Sequence, residues 1–238
     1  MRNVTALTLL IICFCGCIDS SKRIRGNGET VIDKRNISSA VSIKTSGSFD
    51  VDVIPGATTF LQINGESNLI PYIETVNNGT TLVLRVKEGY SISPTQKIAI
   101  SITTPILEQV TIAGSGNVTG RGKFTGANML EAEIAGSGTI KLEVNTPDIR
   151  AKVAGSGDIN LSGETKTLSV KIAGSGNYQG EHLKSEYAKV DIAGSGDVRI
   201  YAEKTLDIRI AGHGDVYYTG NAVLTQKIAG SGNIKKTN

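Results

Sequence analysis

Apolar and polar residues alternate with period two through most of this chain, and over residues 106–238 the alternation is interrupted at nearly regular intervals. Each interruption reads Ala-Gly-Ser-Gly. Copies begin at Ala113, Ala135, Ala154, Ala173, Ala193 and Ala229, and an Ala-Gly-His-Gly at Ala211 completes the series, so successive copies lie 22, 19, 19, 20, 18 and 18 residues apart. The positions five, three and one before each alanine are mostly apolar, as in Leu168, Val170 and Ile172, with polar residues between them. After the second glycine comes Asn, Asp or Thr, and then an apolar residue again: Val118, Ile140, Ile159, Tyr178, Val198, Val216 or Ile234. Such a unit reads as strand, tight corner, strand.

A repeat this short with period two leaves no place for a helix, and no copy carries helical periodicity. One turn of a parallel β-helix fits. Coils stacked about 4.8 Å apart would make seven repeats span roughly 30 Å. Glycine suits the corner because it takes positive φ at no steric cost and has no Cβ to strike the coil above or below. The Asn or Asp that follows tolerates the left-handed region and can bond its own backbone. Ile112, Ile134, Val153, Ile172, Ile192, Ile210 and Ile228 are expected to form one continuous aliphatic ladder inside, each burial contributing about 1.5–3 kcal/mol before chain entropy. The residues two before each alanine face outward. Among them Glu133 over Lys152, and Lys171 over Asp191 over Arg209, are expected to pair between coils.

Residues 37–105 alternate without the repeat, in "VSIKTSGSFDVDV", "TFLQI", "TLVLRV" and "IAISIT". Asn78-Gly79 predicts a hairpin between 73–76 and 82–86. An open first coil needs cover, so 37–105 is expected to continue and cap the stack. The last corner, ending at Gly232, lies close to residue 238 and is expected to be less protected.

At the other end Arg2 precedes "VTALTLLIICFCGC", an apolar run over 4–17. As a helix it would span roughly 21 Å, short of the roughly 30 Å hydrocarbon core, and it reads as a signal peptide. All three cysteines, Cys13, Cys15 and Cys17, fall inside it, so the rest of the chain holds no internal disulfide. Gly16 before Cys17 has the character of a lipoprotein cleavage site. The expected organisation is a lipoprotein signal peptide over 1–16, lipidation at Cys17, a flexible tether over 17–36, the capping strands over 37–105 and the β-helix over 106–238. The membrane is then a partner through the N-terminal lipid. A net charge of +3 over 238 residues points to no nucleic acid.

Candidate chemistry is sparse. Carbohydrate cleavage would need clustered acids beside a sugar platform, whereas this chain has no Trp and its outward acids are spread among Lys and Arg. His213, near Tyr217 and Tyr218, has no Ser, Cys or Asp partner motif. The column Asn117, Asp158, Asn177, Asp197, Asp215 and Asn233 supplies one such residue per coil, far sparser than a calcium-binding β-roll, so neither metal nor cofactor is expected. "GSGNVTG" at 114–120 lacks the spacing and the lysine of a phosphate loop. What remains is a candidate binding edge made of Ser115, Ser137, Ser156, Ser175, Ser195, His213 and Ser231. It could meet a surface glycan, a protein ligand or a second copy of the chain.

Taken together, "GSFDVDVIPG" at 47–56, "NLIPYIETVNNGTTLVL" at 68–84 and the repeated "IAGSG" followed by Asp or Asn resemble the head GIN domain family, described as autotransporter adhesins and often found behind lipoprotein signals. The resemblance covers roughly 37–235. His213 and Thr139 depart from the pattern. It implies an all-β, right-handed parallel β-helix similar to pectin lyases, a role in adhesion, and no catalytic residues to carry over. The expectation is a non-enzymatic outer-membrane lipoprotein of the cell envelope, periplasmic or surface-exposed, acting as an adhesin or surface binding module. Two alternatives stay open: a polysaccharide lyase or hydrolase, and a structural envelope component that assembles through its Gly-Ser-Gly edge.

Overall fold

Each corner divides a coil into two strands, and strands of successive coils stack in two rows. The computed structural model describes residues 21–237. The signal peptide expected over 1–16, with Cys13 and Cys15, and the lipid site at Cys17 lie outside the described residues.

The first row contains the strands that end in the corner. Ser42–Gly47, Gln109–Gly114, Met129–Gly136, Asp148–Gly155, the second half of Asp158–Gly174, Leu183–Gly194, Thr205–Gly212 and Val223–Gly230 lie side by side, all parallel. The second row holds the strands that leave it: Asp50–Pro55, Asn117–Thr125, Thr139–Asn145, the first half of Asp158–Gly174, Asn177–Gly180, Val198–Tyr201, Val216–Thr219 and Ile234–Lys236. The result is an all-β solenoid of parallel stacked coils.

Register follows the repeat because a one-residue slip would turn every apolar side chain outward. Ile112, Ile134, Val153, Ile172, Ile192 and Ile210 are all buried, as the alternation predicts. The ladder does not run to its end, however. Ile228 is 39% exposed, because among the described residues no further coil covers the strand Val223–Gly230. Tyr178 is wholly buried where other coils carry a smaller aliphatic side chain. Gly180 makes this possible: a Cβ there would sit 2.4 Å from the Tyr178 ring.

At the N-terminal end the stack changes direction. Thr81–Val86 pairs in parallel with Ser42–Gly47 on one edge and antiparallel with Ile73–Asn78 on the other, closing the hairpin predicted at Asn78-Gly79, with Gly79 at φ 63°. In the second row Ala99–Thr104 pairs antiparallel with Phe60–Glu66, which pairs antiparallel with Thr30–Arg35.

Two sequence expectations are corrected here. Residues 42–55 are not free of the repeat: Ser46-Gly47-Ser48-Phe49-Asp50 lies in register with Ala113-Gly114-Ser115-Gly116-Asn117 and forms an additional corner. Phe49 can replace the second glycine because no corner lies on its far side, whereas a Cβ on Gly116 would come 2.4 Å from the Phe49 carbonyl oxygen. Part of the tether expected over 17–36 is instead paired strand: Lys22–Arg25 pairs with Tyr90–Ser93, and Thr30–Arg35 joins the cap. The fully buried carboxylate of Glu66 anchors this segment. It accepts hydrogen bonds from the Thr95 hydroxyl at 2.6 Å and from the backbone N–H groups of Gly28, Thr95 and Gln96 at 2.7, 2.8 and 3.2 Å. Those donors, the Thr95 hydroxyl above all, hold its pKa at about 2 against the opposing cost of burial.

Candidate functional site

The corner residues of successive coils are locked to each other through the backbone. The N–H groups of Ser137, Ser156, Ser175, Ser195 and His213 each donate to the carbonyl of the first corner glycine one coil back, all at 2.9 Å, and those of Ser115 and Ser231 do the same at 3.1 and 3.0 Å. These carbonyls can approach only because the next glycine has no side chain. A Cβ on Gly174 would lie 2.3 Å from the Gly155 oxygen, and one on Gly176 2.2 Å from the Gly157 oxygen.

With the backbone engaged in the stack, the side chains are left over. Ser115, Ser137, Ser156, Ser175, Ser195, His213 and Ser231 are all exposed, and within the described chain their side chains make no hydrogen bond. The structure therefore brings all seven predicted residues together in one row at the coil spacing. His213 occupies a serine position without disturbing it, since that position is used through its N–H.

The Asn and Asp residues beyond the corner form a second row, with a different job. Asp158 Oδ1 accepts from Asn177 Nδ2 at 2.9 Å, Asn177 Oδ1 accepts from the Asp197 N–H at 3.0 Å, Asp197 Oδ1 from the Asp215 N–H at 3.0 Å, and Asp215 Oδ1 from the Asn233 N–H at 2.8 Å. Asn117 reaches back to Asp50 in the same way at 2.7 Å. Each side chain ties its coil to a neighbour. Among the described residues no group of three His, Cys, Asp or Glu stands close enough to hold a metal ion.

Sequence reasoning missed the feature on the other side of the row. Ala154, Ala173, Ala193, Ala211 and Ala229 floor an open groove of about 590 Å³, flanked by the side chains two residues earlier in each coil. Lys152, Lys171, Arg209 and Lys227 outnumber Glu133 and Asp191 along that flank. The signal was present, since every copy has alanine at the same place and most have a charged residue two before it. The cross-coil register there is as predicted, with Glu133 beside Lys152 and Lys171 beside Asp191 beside Arg209. The ion pairs follow it only in part: Asp191 pairs with Arg209 at 3.9 Å as expected and also lies 3.6 Å from Lys189, whereas Lys152 reaches Glu131 instead of Glu133, which raises its pKa. Long side chains reach diagonally, so register alone does not choose the partner.

Solved structures share this architecture. A putative adhesin from Bacteroides fragilis superposes with a TM-score of 0.85 at 22% identity, over 90% of this chain and 100% of its own. A putative lipid binding protein from Parabacteroides distasonis gives 0.78 at 29% identity, over 91% and 100%. A putative adhesin from Parabacteroides merdae gives 0.71 at 20%, over 92% and 100%. No curated protein matches the sequence. The family model described as "Putative auto-transporter adhesin, head GIN domain" matches residues 41–222, most of the solenoid and its cap, and the chain belongs to that family.

Proposed function

We propose that this chain is a non-enzymatic binding module of the cell envelope, held to the membrane by a lipid on Cys17, that attaches through the serine ridge and the groove beside it. The observation that carries this reading is the row of seven exposed side chains with no hydrogen bond to another described residue. A partner with its own repeat, such as a surface glycan or a flat protein face, can engage such a row at many points, and weak contacts repeated along a line add up. The family description supports attachment and an envelope location. The absence of catalysis is supported by the commitment of Asp158, Asp197 and Asp215 to the column that joins the coils.

Two experiments test the parts separately. Cys17→Ser should release the protein from the membrane fraction, whereas Cys13→Ser and Cys15→Ser should not; retention of the Cys17 variant would remove the anchor. Replacing Ser156 and Ser175 by Ala together should weaken attachment of whole cells at an unchanged melting temperature. Undiminished attachment would remove the ridge.

A second reading has one observation in its favour. The Parabacteroides distasonis relative is described as a putative lipid binding protein, and the groove here combines an alanine floor with Lys152, Lys171, Arg209 and Lys227. That pairing suits an amphiphile with an acidic headgroup. Flotation with vesicles of phosphatidylglycerol, compared with phosphatidylcholine, distinguishes it from the first reading.

A further inference from the structure

The corner spacing is uneven, and the unevenness marks a second site. The two longest intervals, 22 and 20 residues, belong to the first and fourth repeats. In the first, the extra residues fall at 120–122, where the register between Asn117–Thr125 and Thr139–Asn145 shifts between Thr119 and Lys123. In the fourth they form a turn at 181 and 182, between the strands Asn177–Gly180 and Leu183–Gly194. The two coils in between pass this point without a break. Two irregular segments three coil steps apart, about 14 Å at about 4.8 Å per step, thus border a cleft over a continuous sheet. Its volume is about 520 Å³, within the range of roughly 300–1,000 Å³ typical of small-molecule sites.

The lining is far more polar than that of the alanine groove, although Leu142 and Leu161 contribute to it. Lys141, Asn160, Ser162 and Gln179 come from the strands, and Glu181 and His182 from the turn. Two acceptors in it are unused: Asn160 Oδ1 and Glu181 Oε2 are buried and receive no hydrogen bond from any described residue. A buried acceptor without a donor is costly, so a ligand that supplies donors gains by that amount.

We infer that this cleft binds a neutral saccharide. Every sugar hydroxyl both donates and accepts, which matches a lining that mixes amides, an ammonium, an imidazole and a hydroxyl with acceptors lacking donors. Other ligand classes fit less well. Glu143 also lines the cleft, so two carboxylates face any anion that enters. A peptide adding itself as a strand needs a free sheet edge, but the backbone of Thr139–Asn145 is paired on both sides. The cleft lies past the corner, on the strands that follow it, and does not depend on the ridge.

The test is a titration of the isotope-labelled full chain, purified in detergent, with glucose, galactose, mannose, N-acetylglucosamine and their linear trisaccharides, read by amide chemical shifts. At least one neutral sugar should shift amides confined to 141–143, 160–162 and 179–182, saturating in the millimolar range. Asn160→Ala should weaken this at least tenfold at an unchanged melting temperature. Gln179→Ala, at an exposed position, carries the same test should the first variant melt early. Glucuronate and inorganic phosphate should leave these amides in place, and Ser175→Arg on the ridge should leave the sugar shifts intact. The inference is overturned if no sugar of the panel moves these amides, if the shifts survive both substitutions, if the anions move them equally, or if Ser175→Arg abolishes them.

Discussion

Gly174, Gly176 and Gly126 separate the two reasons for glycine at a corner. Gly174 has φ +127°, and a Cβ there would lie 2.3 Å from the Gly155 oxygen. Gly176 has no positive φ, but its Cβ would lie 2.2 Å from the Gly157 oxygen and 2.6 Å from Val153 Cγ1. Gly126 is the reverse case, with φ +87° and nothing within 4 Å. Gly126→Ala should therefore cost only backbone strain, about 1–2 kcal/mol. Gly176→Ala should cost only crowding, about 1–3 kcal/mol. Gly174→Ala bears both, together with weakening of the Ser175 N–H bond to the Gly155 carbonyl, which adds about 0.5–1.5 kcal/mol, for a total of about 2.5–6.5 kcal/mol. Ser175→Ala, between the two glycines, should stay within about 0.5 kcal/mol. Urea unfolding of the four variants, fitted at a common slope, measures each. A Gly174→Ala loss no greater than that of Gly126→Ala would refute the claim that the corners are packed carbonyl against Cα.

Three further outcomes follow from the packing and the cap. Ile172→Ala should cost about 2–5 kcal/mol by chemical denaturation, and Ile228→Ala, on the uncovered last coil, clearly less; equal losses would mean that the last coil is covered. Because Glu66 has a folded-state pKa of about 2, below its unfolded value, its contribution is complete above the ordinary carboxylate range and is lost as pH falls through that range toward 2. Glu66→Gln should thus melt lower than the parent at neutral pH and with a flatter acid dependence, and parallel melting curves from pH 6 to 2 would contradict this. Tyr178→Phe should hold or raise the melting temperature, because it removes a buried hydroxyl that has no partner among the described residues; a large drop would show that the hydroxyl has one.

Most of the solenoid was legible in the sequence because every coil poses the same steric problem and solves it with the same residues. The interior ladder, the corner and the exposed serine row all follow from alternation and Gly-Ser-Gly. What stayed hidden departs from that rule for local reasons. The corner at Gly47 was masked because Phe49, with a corner on one side only, stands in place of the second glycine, and the strands Lys22–Arg25 and Thr30–Arg35 are mostly exposed, with little apolar patterning to reveal them. They are held by pairing and by Glu66, which belongs to no repeat. Diagonal ion pairs such as Lys152 with Glu131 depend on side-chain reach, which register does not report. The irregular segments that border the cleft show in the spacing, as 22 and 20 among 18 and 19, but spacing does not report which side chains line it.

The central claim, that the serine ridge is the face that makes contact, rests most directly on attachment of whole cells displaying Ser175→Arg. The side chain at 175 is exposed, and only its backbone N–H serves the stack, so the variant should fold and melt as the parent does. An arginine standing above a flat row holds a partner away from the coils on either side. Most attachment should be lost at an unchanged melting temperature; attachment equal to that of the parent would remove the ridge as the binding face.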